Sequence, residues 1–196
     1  MTLENFLKEY DKEGVVVLLE GKRQVKKGDE RKLQRLGQLL KERSNYMIFR
    51  SGNAEGSDRY FFAGASSVDN KRLQAITPYD GHFKNSNSAY ETFSLDSIDL
   101  VKEPEITYLS KRNKKTKGLI DKYVDGNRDK YSIKAAYIIR DTVKVTGYEN
   151  MKPASFGIFY DDLDNPKSGG TGHTMDVCEE KNIPVIDQRV WFKWLE

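Results

Sequence analysis

The chain has 196 residues, a length that suits one domain with a sizeable core. Hydrophobic residues make up 37% and charged residues 32%, and eleven tyrosines and nine phenylalanines argue against disorder. The net charge of +3 does not indicate a dedicated nucleic-acid-binding protein, and the single cysteine, Cys178, favours a reducing compartment. No apolar run approaches the roughly 20 residues of a membrane span, and residues 1–10 are not typical of a signal peptide. We therefore expect a cytoplasmic protein with no membrane partner.

The first eighty residues alternate between short apolar runs and helical periodicity. Residues 15–20 form a nearly continuous apolar run, which predicts a strand buried on both faces. Leucines at helical spacing predict a helix over residues 29–43, with Asp29 as its N-cap and Gly37 allowing the helix to approach the sheet closely. Further elements are predicted in the order strand 46–50, a helix starting at the apolar cluster 60–63, and strand 73–77.

The pattern weakens between residues 81 and 127, where polar residues dominate, and we interpret this segment as an insertion. Helical turns are predicted near residues 88–93 and 117–124. The later elements are predicted as helix 130–143 and strand 156–160, followed by a helix that the turn 168–174 opens and that ends at about residue 181. Strand 183–186 and a terminal helix or arm at 190–195 complete the chain of elements. Strands alternating with helices form right-handed βαβ units. The expected fold is α/β, a single Rossmann-like domain over residues 1–196, with three α/β/α layers and a mostly parallel central sheet.

Three strand-to-helix turns consist largely of small or polar residues. They are Gly21-Lys22-Arg23, the segment from Ser51 to Asp58, and the segment from Ser168 to Thr174. In an open parallel sheet these turns lie at the carboxyl edge of the strands, so we expect them to border one crevice. Asp161, directly after the predicted strand 156–160, is expected at the same edge.

The third turn carries the clearest signal for an anion. Its glycines leave the backbone accessible, and the free amides and dipole at the start of the following helix favour negative charge. The predicted phosphate-binding residues are Ser168, Gly169, Gly170, Thr171, Gly172, His173 and Thr174. An ordinary glycine-rich turn entering a helix is the alternative interpretation.

The second turn combines glycines with acidic and polar side chains. Its candidate ligand-binding residues are Ser51, Gly52, Asn53, Gly56, Ser57 and Asp58, together with Glu55 as a candidate catalytic base. Acidic residues at such a position suit ribose hydroxyls or general-base chemistry better than phosphate. For Ser57 and Asp58, capping of the following helix is an equally good explanation.

Arg140 lies in an otherwise apolar helical stretch, so it either meets an anionic partner or extends to solvent. The basic segment 111–117 suits nucleic acid or a solvated loop. Because His82 and His173 are the only histidines and no Cys/His cluster is present, no metal site and no cofactor are expected.

These motifs resemble the superfamily that joins the Lonely Guy (LOG) phosphoribohydrolases with the DNA-processing protein DprA (Smf). Its pattern is Gly-x-Arg after a strand, then Ser-Gly-Gly-Ala-x-Gly-x-Asp, and later Gly-Gly-x-Gly-Thr, matched here by the three turns. Small stand-alone members, often phage-borne, are most similar. They share a Pro-aromatic-x-Gly-x-Phe segment, here residues 78–83, and a helix arginine followed by Val-x-Gly, here Arg140-Asp141 and residues 145–147. The likeness covers about residues 15–186, apart from the insertion at about 81–127.

The resemblance implies a nucleotide or nucleotide derivative as the ligand. In the phosphoribohydrolases a glutamate of the glycine motif and a helix arginine act at the glycosidic carbon; the matching positions are Asp176 and Arg140. This implies hydrolysis of the N-glycosidic bond of a nucleoside 5′-monophosphate. The alternatives are a non-catalytic module that sequesters or senses a nucleotide signal in phage defence or counter-defence, and a DprA-like protein that binds single-stranded DNA. Relatives often dimerise, which allows for a homodimer or higher homo-oligomer.

Overall fold

Six parallel strands form the central sheet of the chain, of which the computed structural model describes residues 1–149 and 151–196. The strands are β1 (Val16–Gly21), β2 (Ile48–Ser51), β3 (Leu73–Thr77), β4 (Glu91–Ser94), β5 (Phe156–Tyr160) and β6 (Val185–Ile186). Their order is β4-β3-β2-β1-β5-β6, and every neighbouring pair is parallel. The order therefore runs outward in both directions from the β1–β5 pair, as in doubly wound folds. The predicted α/β, Rossmann-like class is confirmed.

Helices cover both faces of the sheet in the described part of the chain. They are α1 (Leu3–Tyr10), α2 (Glu30–Arg43), α3 (Ser57–Ser66), α4 (Pro104–Ser110), α5 (Lys117–Val124), α6 (Ser132–Thr146), α7 (Gly169–Glu180) and α8 (Gln188–Trp191). Val17 and Leu19 of β1 pack on the side of α1, α2, α3 and α8, whereas Leu18 packs on the side of α4, α6 and α7. This alternation follows from the two-residue period of a strand. None of the described helices is long and apolar enough to cross a membrane.

The predicted strands agree with the observed ones to within two residues at each end, and helix 117–124 is confirmed as α5. Helix α1 was not predicted from the sequence. It begins at the N-cap Thr2, whose hydroxyl accepts a hydrogen bond from the Asn5 amide at 3.2 Å. Its apolar face is anchored by Phe6, which is fully buried. At only eight residues, the helix is too short for its periodicity to stand out in the sequence.

The segment 81–127 packs into the core. The helical turn predicted near residues 88–93 is wrong, because residues 91–94 form β4 and pair in parallel with β3. This edge strand is largely exposed and polar, so it lacks the apolar pattern that identifies a buried strand. Ile106 of α4 and Ile120 and Tyr123 of α5 are buried against α6. The segment thus supplies an edge strand and part of one helical layer.

Gly37 serves contact between helices. A Cβ atom at this position would lie 2.1 Å from the carbonyl oxygen of Phe61 and 3.0 Å from the amide nitrogen of Ala65. Both atoms belong to α3, so the predicted approach of this helix to the sheet is replaced by close packing of α2 on α3. The glycine allows the two helix backbones to approach each other.

This packing predicts opposite effects of alanine at two helical glycines. Gly37→Ala should destabilise the protein by about 1–3 kcal/mol, because the added methyl group collides with the α3 backbone. Gly118→Ala, in α5, meets no atom within 4 Å and should instead stabilise by up to about 1 kcal/mol. Urea unfolding measures both changes. A Gly37→Ala variant as stable as the wild type would contradict the packing argument.

Candidate functional site

A cavity of about 830 Å³ lies at the carboxyl edge of the sheet, beside the β1–β5 pair. It is bordered by residues 21–26 after β1, by 160–162 and 164 after β5, and by 168–171 at the start of α7. This is the switch point of the strand order, where open α/β sheets bind ligands. The predicted site residues that line it are Gly21, Lys22, Arg23, Glu55, Asp58, Arg140, Asp161, Ser168, Gly169, Gly170 and Thr171. The three turns do border one crevice.

The start of α7 presents backbone amides to the cavity. The amide of Gly172 is the first that turns back into the helix, donating to the Ser168 carbonyl oxygen at 3.2 Å. The amides of residues 169–171 therefore have no acceptor within the helix. Gly169 has a φ of +64°, a conformation that favours glycine. The side chain of the N-cap residue, Ser168, makes no hydrogen bond to the helix. The result is an uncapped helix end that faces the cavity.

Lys22 reaches this helix end from the loop after β1. Its ammonium nitrogen donates to the carbonyl oxygen of Ser168 at 2.7 Å and also contacts the Ser168 hydroxyl. The carboxylate of Asp161 lies 3.8 Å from the same nitrogen. Asp161 Oδ2 accepts from the amide of Lys167, whereas its buried Oδ1 has no hydrogen-bond partner in the described structure. A cation and an available carboxylate oxygen thus stand beside the free amides.

Ser57 and Asp58 hold the loops in place, and neither side chain caps the following helix, so the capping explanation is wrong. The N-cap of α3 is Gly56, and no side chain caps the helix. The Ser57 hydroxyl donates to the Lys22 carbonyl oxygen at 2.7 Å. Asp58 accepts from the amides of Gly21 and Gly52, each at 3.2 Å. One carboxylate therefore ties the loop after β1 to the loop after β2.

Four other residues of the second turn lie behind the cavity wall or beside it. Ser51 is fully buried and Gly52 is buried beneath Arg140, whose Nη1 donates to the Gly52 carbonyl oxygen at 2.6 Å. The Asn53 side chain is buried, with the carbonyl oxygen of His82 3.5 Å away. Gly56 borders a neighbouring groove, again outside the cavity. These residues shape the loop, and the expectation that they touch the ligand finds no support in their positions.

The second half of the predicted phosphate turn faces inward. His173 Nε2 lies 2.9 Å from the Thr142 hydroxyl, within the packing of α7 on α6. The Thr174 hydroxyl is buried and donates to the carbonyl oxygen of Gly170 at 3.1 Å. Gly172 is buried inside the first turn. Helical rotation turns these residues away from the crevice, so only residues 168–171 of this turn border it.

Asp176 also lies outside the cavity. It is exposed on α7, about 10 Å along the helix axis from Gly169, and its carbonyl oxygen accepts from the guanidinium of Arg112 at 3.2 Å. The sequence motif placed this carboxylate at the reacting carbon. The phase of the helix places it on the solvent side, because the adjacent Met175 and Val177 are buried.

The cavity floor is a chain of buried charged groups that sequence reasoning mostly missed. Arg140 is buried, and its Nε lies 2.9 Å from Asp141 Oδ1. Lys144 Nζ lies 2.7 Å from the same Asp141 oxygen and 2.6 Å from Glu20 Oε2. Burial alone would lower the pKa of Arg140 and Lys144, but the surrounding carboxylates raise both pKa values. Arg140 thus meets an anionic partner within the protein and does not extend to solvent.

A charge inside an apolar helix was the available signal for this floor. Lys144 lies three residues after Asp141 and four after Arg140, spacings that bring its side chain beside both on α6. Glu20, at the end of an otherwise apolar strand, was a second such signal. Their convergence could not be predicted from spacing, because Glu20 and Lys144 are 124 residues apart in the chain.

His82 is buried beside Arg140 among the rings of Tyr79, Phe83 and Tyr137. Neither ring nitrogen has a hydrogen-bond partner in the described structure. Burial, together with the positive charges of Arg140 and Arg23, lowers the pKa of His82 to about 4. The imidazole is therefore neutral at neutral pH and acts as part of an aromatic cluster.

Among the described residues, no group of three or more histidine, cysteine, aspartate or glutamate side chains is arranged to hold a metal ion. Cys178 is fully buried in the core, and burial raises the pKa of its thiol to about 12.

No protein-family model matches the chain, and no curated protein matches its sequence. Two solved structures are similar. One is DNA processing protein A from Helicobacter pylori, reported for its single-stranded DNA binding mode (14% identity, TM-score 0.47, 88% of this chain and 64% of that chain). The other is DNA processing protein A (DprA) from Streptococcus pneumoniae (16% identity, TM-score 0.46, 95% of this chain and 52% of that chain).

The chain thus spans less than two thirds of the length of these two structures. The strand order and the cavity define the class of this protein. It is a Rossmann-like α/β protein with a polar crevice at the switch point of its sheet.

The environment of His82 predicts how stability depends on acid. Because the pKa falls from about 6.5 in the unfolded chain to about 4 in the folded protein, the contribution of neutral His82 is complete above about pH 6.5. This stabilising contribution is lost as the pH falls from about 6.5 through about 4. When the pH is lowered from 7 to about 4.5, the free energy of unfolding should therefore fall less for His82→Phe than for the wild type. Urea unfolding at several pH values measures this, and parallel pH profiles of the two proteins would contradict it.

Proposed function

We propose that the cavity binds a nucleotide or a nucleotide derivative, with a phosphate group at the start of α7. The observation that carries this proposal is the set of unbonded amides at residues 169–171, which open onto a cavity at the sheet's switch point. Helix N-termini at this position favour phosphate through their free N–H groups and dipole. The volume of about 830 Å³ is within the range of small-molecule sites.

The charges around the cavity restrict where a phosphate can bind. Seven acidic and five basic side chains line it, so the lining as a whole does not attract anions. Three of the acids, Glu55, Asp162 and Asp164, lie at the open rim, where water and salt screen them. At the α7 end, Asp141 approaches Gly170, but Arg140 and Lys144 compensate its charge. The position that suits a phosphate is therefore the one where the free amides and the Lys22 ammonium group meet.

The carboxylates beside this point suit the sugar. Asp161 Oδ1 is an acceptor without a hydrogen-bond partner, and Glu55 extends from the loop after β2 at the mouth. Both can accept hydrogen bonds from ribose hydroxyls, a role that carboxylates play in nucleotide crevices. Arg23 has no ion pair in the described structure and lines the same mouth, where its planar guanidinium can stack on a base.

The contacts favour binding over hydrolysis of the N-glycosidic bond. Asp176, the carboxylate that the motif assigned to the reaction, lies outside the cavity. The Arg140 guanidinium is held by the Gly52 carbonyl oxygen and by Asp141. We therefore propose a module that sequesters or senses a nucleotide-derived molecule. Release of free base from any nucleoside 5′-monophosphate would overturn this part of the proposal.

Single-stranded DNA is the alternative ligand, and the basic segment 111–117 is where it would have to bind. Two of the five cations there are paired within the chain: Lys111 with Asp121, and Arg112 with Glu180. Weakened binding after neutralisation of the remaining lysines, with affinity falling steeply as salt rises, would favour DNA.

Gly170→Asp tests the phosphate position. The new carboxylate occupies the anion site at the helix end. The added Cβ atom would lie 2.9 Å from Asp141 Oδ2, so urea unfolding must first show that the variant is folded. A nucleoside monophosphate at about 100 times its dissociation constant stabilises the wild type by about 2.7 kcal/mol, and the variant should lose this thermal shift. Gly118→Asp, on exposed α5, is the matched control and should keep it.

Adenosine, guanosine, cytidine and uridine 5′-monophosphates form the first panel, and native mass spectrometry of the purified protein detects a co-purified molecule. An unchanged shift in Gly170→Asp would show that the anion binds elsewhere. No stabilisation by any panel member and no co-purified nucleotide would remove the basis for nucleotide binding.

A further inference from the structure

Glu20 combines deep burial with an unused hydrogen-bonding atom. It lies near the end of β1, is 2% exposed, and belongs to the cavity lining. Its Oε2 atom lies 2.6 Å from Lys144 Nζ, whereas Oε1 is buried and has no hydrogen-bond partner in the described structure. A buried polar atom without a partner is costly. Because Glu20 lines the cavity, the missing hydrogen-bond partner can come from a ligand.

The surrounding charges leave Glu20 the least compensated carboxyl group. Among the buried residues of the cavity lining, four carry carboxyl groups, Glu20, Asp58, Asp141 and Asp161, and two carry cations, Arg140 and Lys144. A third buried cation, Arg50, lies outside the lining and donates to Gln74 and to the Lys144 carbonyl oxygen. Asp141 is paired with both cations. Asp58 accepts three backbone amides. Glu20 has only a share of Lys144, so a proton retained on the floor belongs on Glu20.

The groups around Glu20 act consistently with this assignment. Burial raises the pKa of Glu20, the negative charges of Asp58 and Asp141 raise it further, and Lys144 opposes them, with a resulting value of about 8. Two more groups face it electrostatically: Arg50 from β2 and the buried thiol of Cys178 from α7. For Asp141 burial acts in the same direction, but its two cations outweigh burial and lower the pKa.

We propose that Glu20 is a specificity-determining residue that holds a proton on Oε1 and donates a hydrogen bond from it to an uncharged acceptor of the ligand. Oε2 accepts from Lys144, so the proton resides on Oε1, the oxygen without a partner. Suitable acceptors are a ring nitrogen, a base carbonyl oxygen or a sugar hydroxyl oxygen, whereas an ammonium group is rejected. The identity of the ligand rests on the proposed function, but the protonation of Glu20 does not.

Protonation is measured directly by NMR, on the full-length protein with ¹³C-labelled glutamate side chains. The Glu20 carboxyl signal, assigned through its bonds and by its loss in Glu20→Gln, should titrate with a midpoint near 8. The signal of Glu4, exposed on α1, serves as the internal control for the labelling and the assignment. A midpoint for Glu20 below about 5 would show an ionised carboxylate and overturn the proposal.

Asp141→Asn tests the charge balance behind the assignment. With Asp141 neutral, Lys144 serves Glu20 alone and a nearby negative charge is removed, so the Glu20 midpoint should fall. An unchanged midpoint would contradict the charge balance on which the assignment rests. If the variants fail to fold, the wild-type titration alone still decides the protonation state.

Calorimetric binding of adenosine 5′-monophosphate tests the contact with the ligand. Above about pH 7 its phosphate is fully ionised, so affinity for the wild type should fall about tenfold per pH unit above the Glu20 midpoint. Glu20→Gln retains an N–H donor and should bind with no such fall, whereas Glu4→Gln should behave as the wild type. A wild-type affinity that ignores pH would overturn the contact. If no nucleotide binds, the proposed function fails, and the NMR titration separately decides the protonation.

Discussion

The parallel pairing of β1 with β5 is the constraint on which the candidate site depends. Gly21 lies opposite Tyr160 at the carboxyl end of this pair. The chain then winds away in both directions, so α2 follows β1 on one face and α7 follows β5 on the other. Because the two connections leave on opposite faces, neither fills the space between the strand ends. The cavity is a consequence of this strand order.

Side chains at the start of α3 hold the loops around the cavity and do not cap the helix itself. The Asp58 carboxylate accepts hydrogen bonds from backbone amides of two loops, and the Ser57 hydroxyl donates to a carbonyl oxygen of the first loop. A carboxylate bound to backbone amides in a buried place is a strong and directional connection. The loop after β1 is therefore positioned before any ligand arrives, and its lysine is brought to the start of α7. Such preorganisation lowers the cost of binding.

The same cavity combines two electrostatic regions. At the start of α7, backbone amides and Lys22 favour an anion. On the floor, carboxyl groups outnumber cations, which favours a retained proton and contact with uncharged polar atoms. A molecule with a phosphate at one end and neutral acceptors at the other matches both regions, as a nucleotide does. The fold supplies this division, because the amides come from α7 and the buried charges come mainly from α6.

The sequence alone determined the fold class and the place of the site. Apolar runs in β1, β2, β3 and β5 alternate with helical spacing, and small, polar turns follow the strands, so a parallel sheet with a crevice at its carboxyl edge was predictable. Edge strand β4 was not, because an exposed strand needs no apolar pattern. Only the tertiary structure decided which polar residues face the crevice. Helix rotation turned Asp176 to solvent, and packing of α6 on the sheet brought Lys144 to Glu20, since side-chain direction depends on helix phase and long-range packing that residue spacing does not encode.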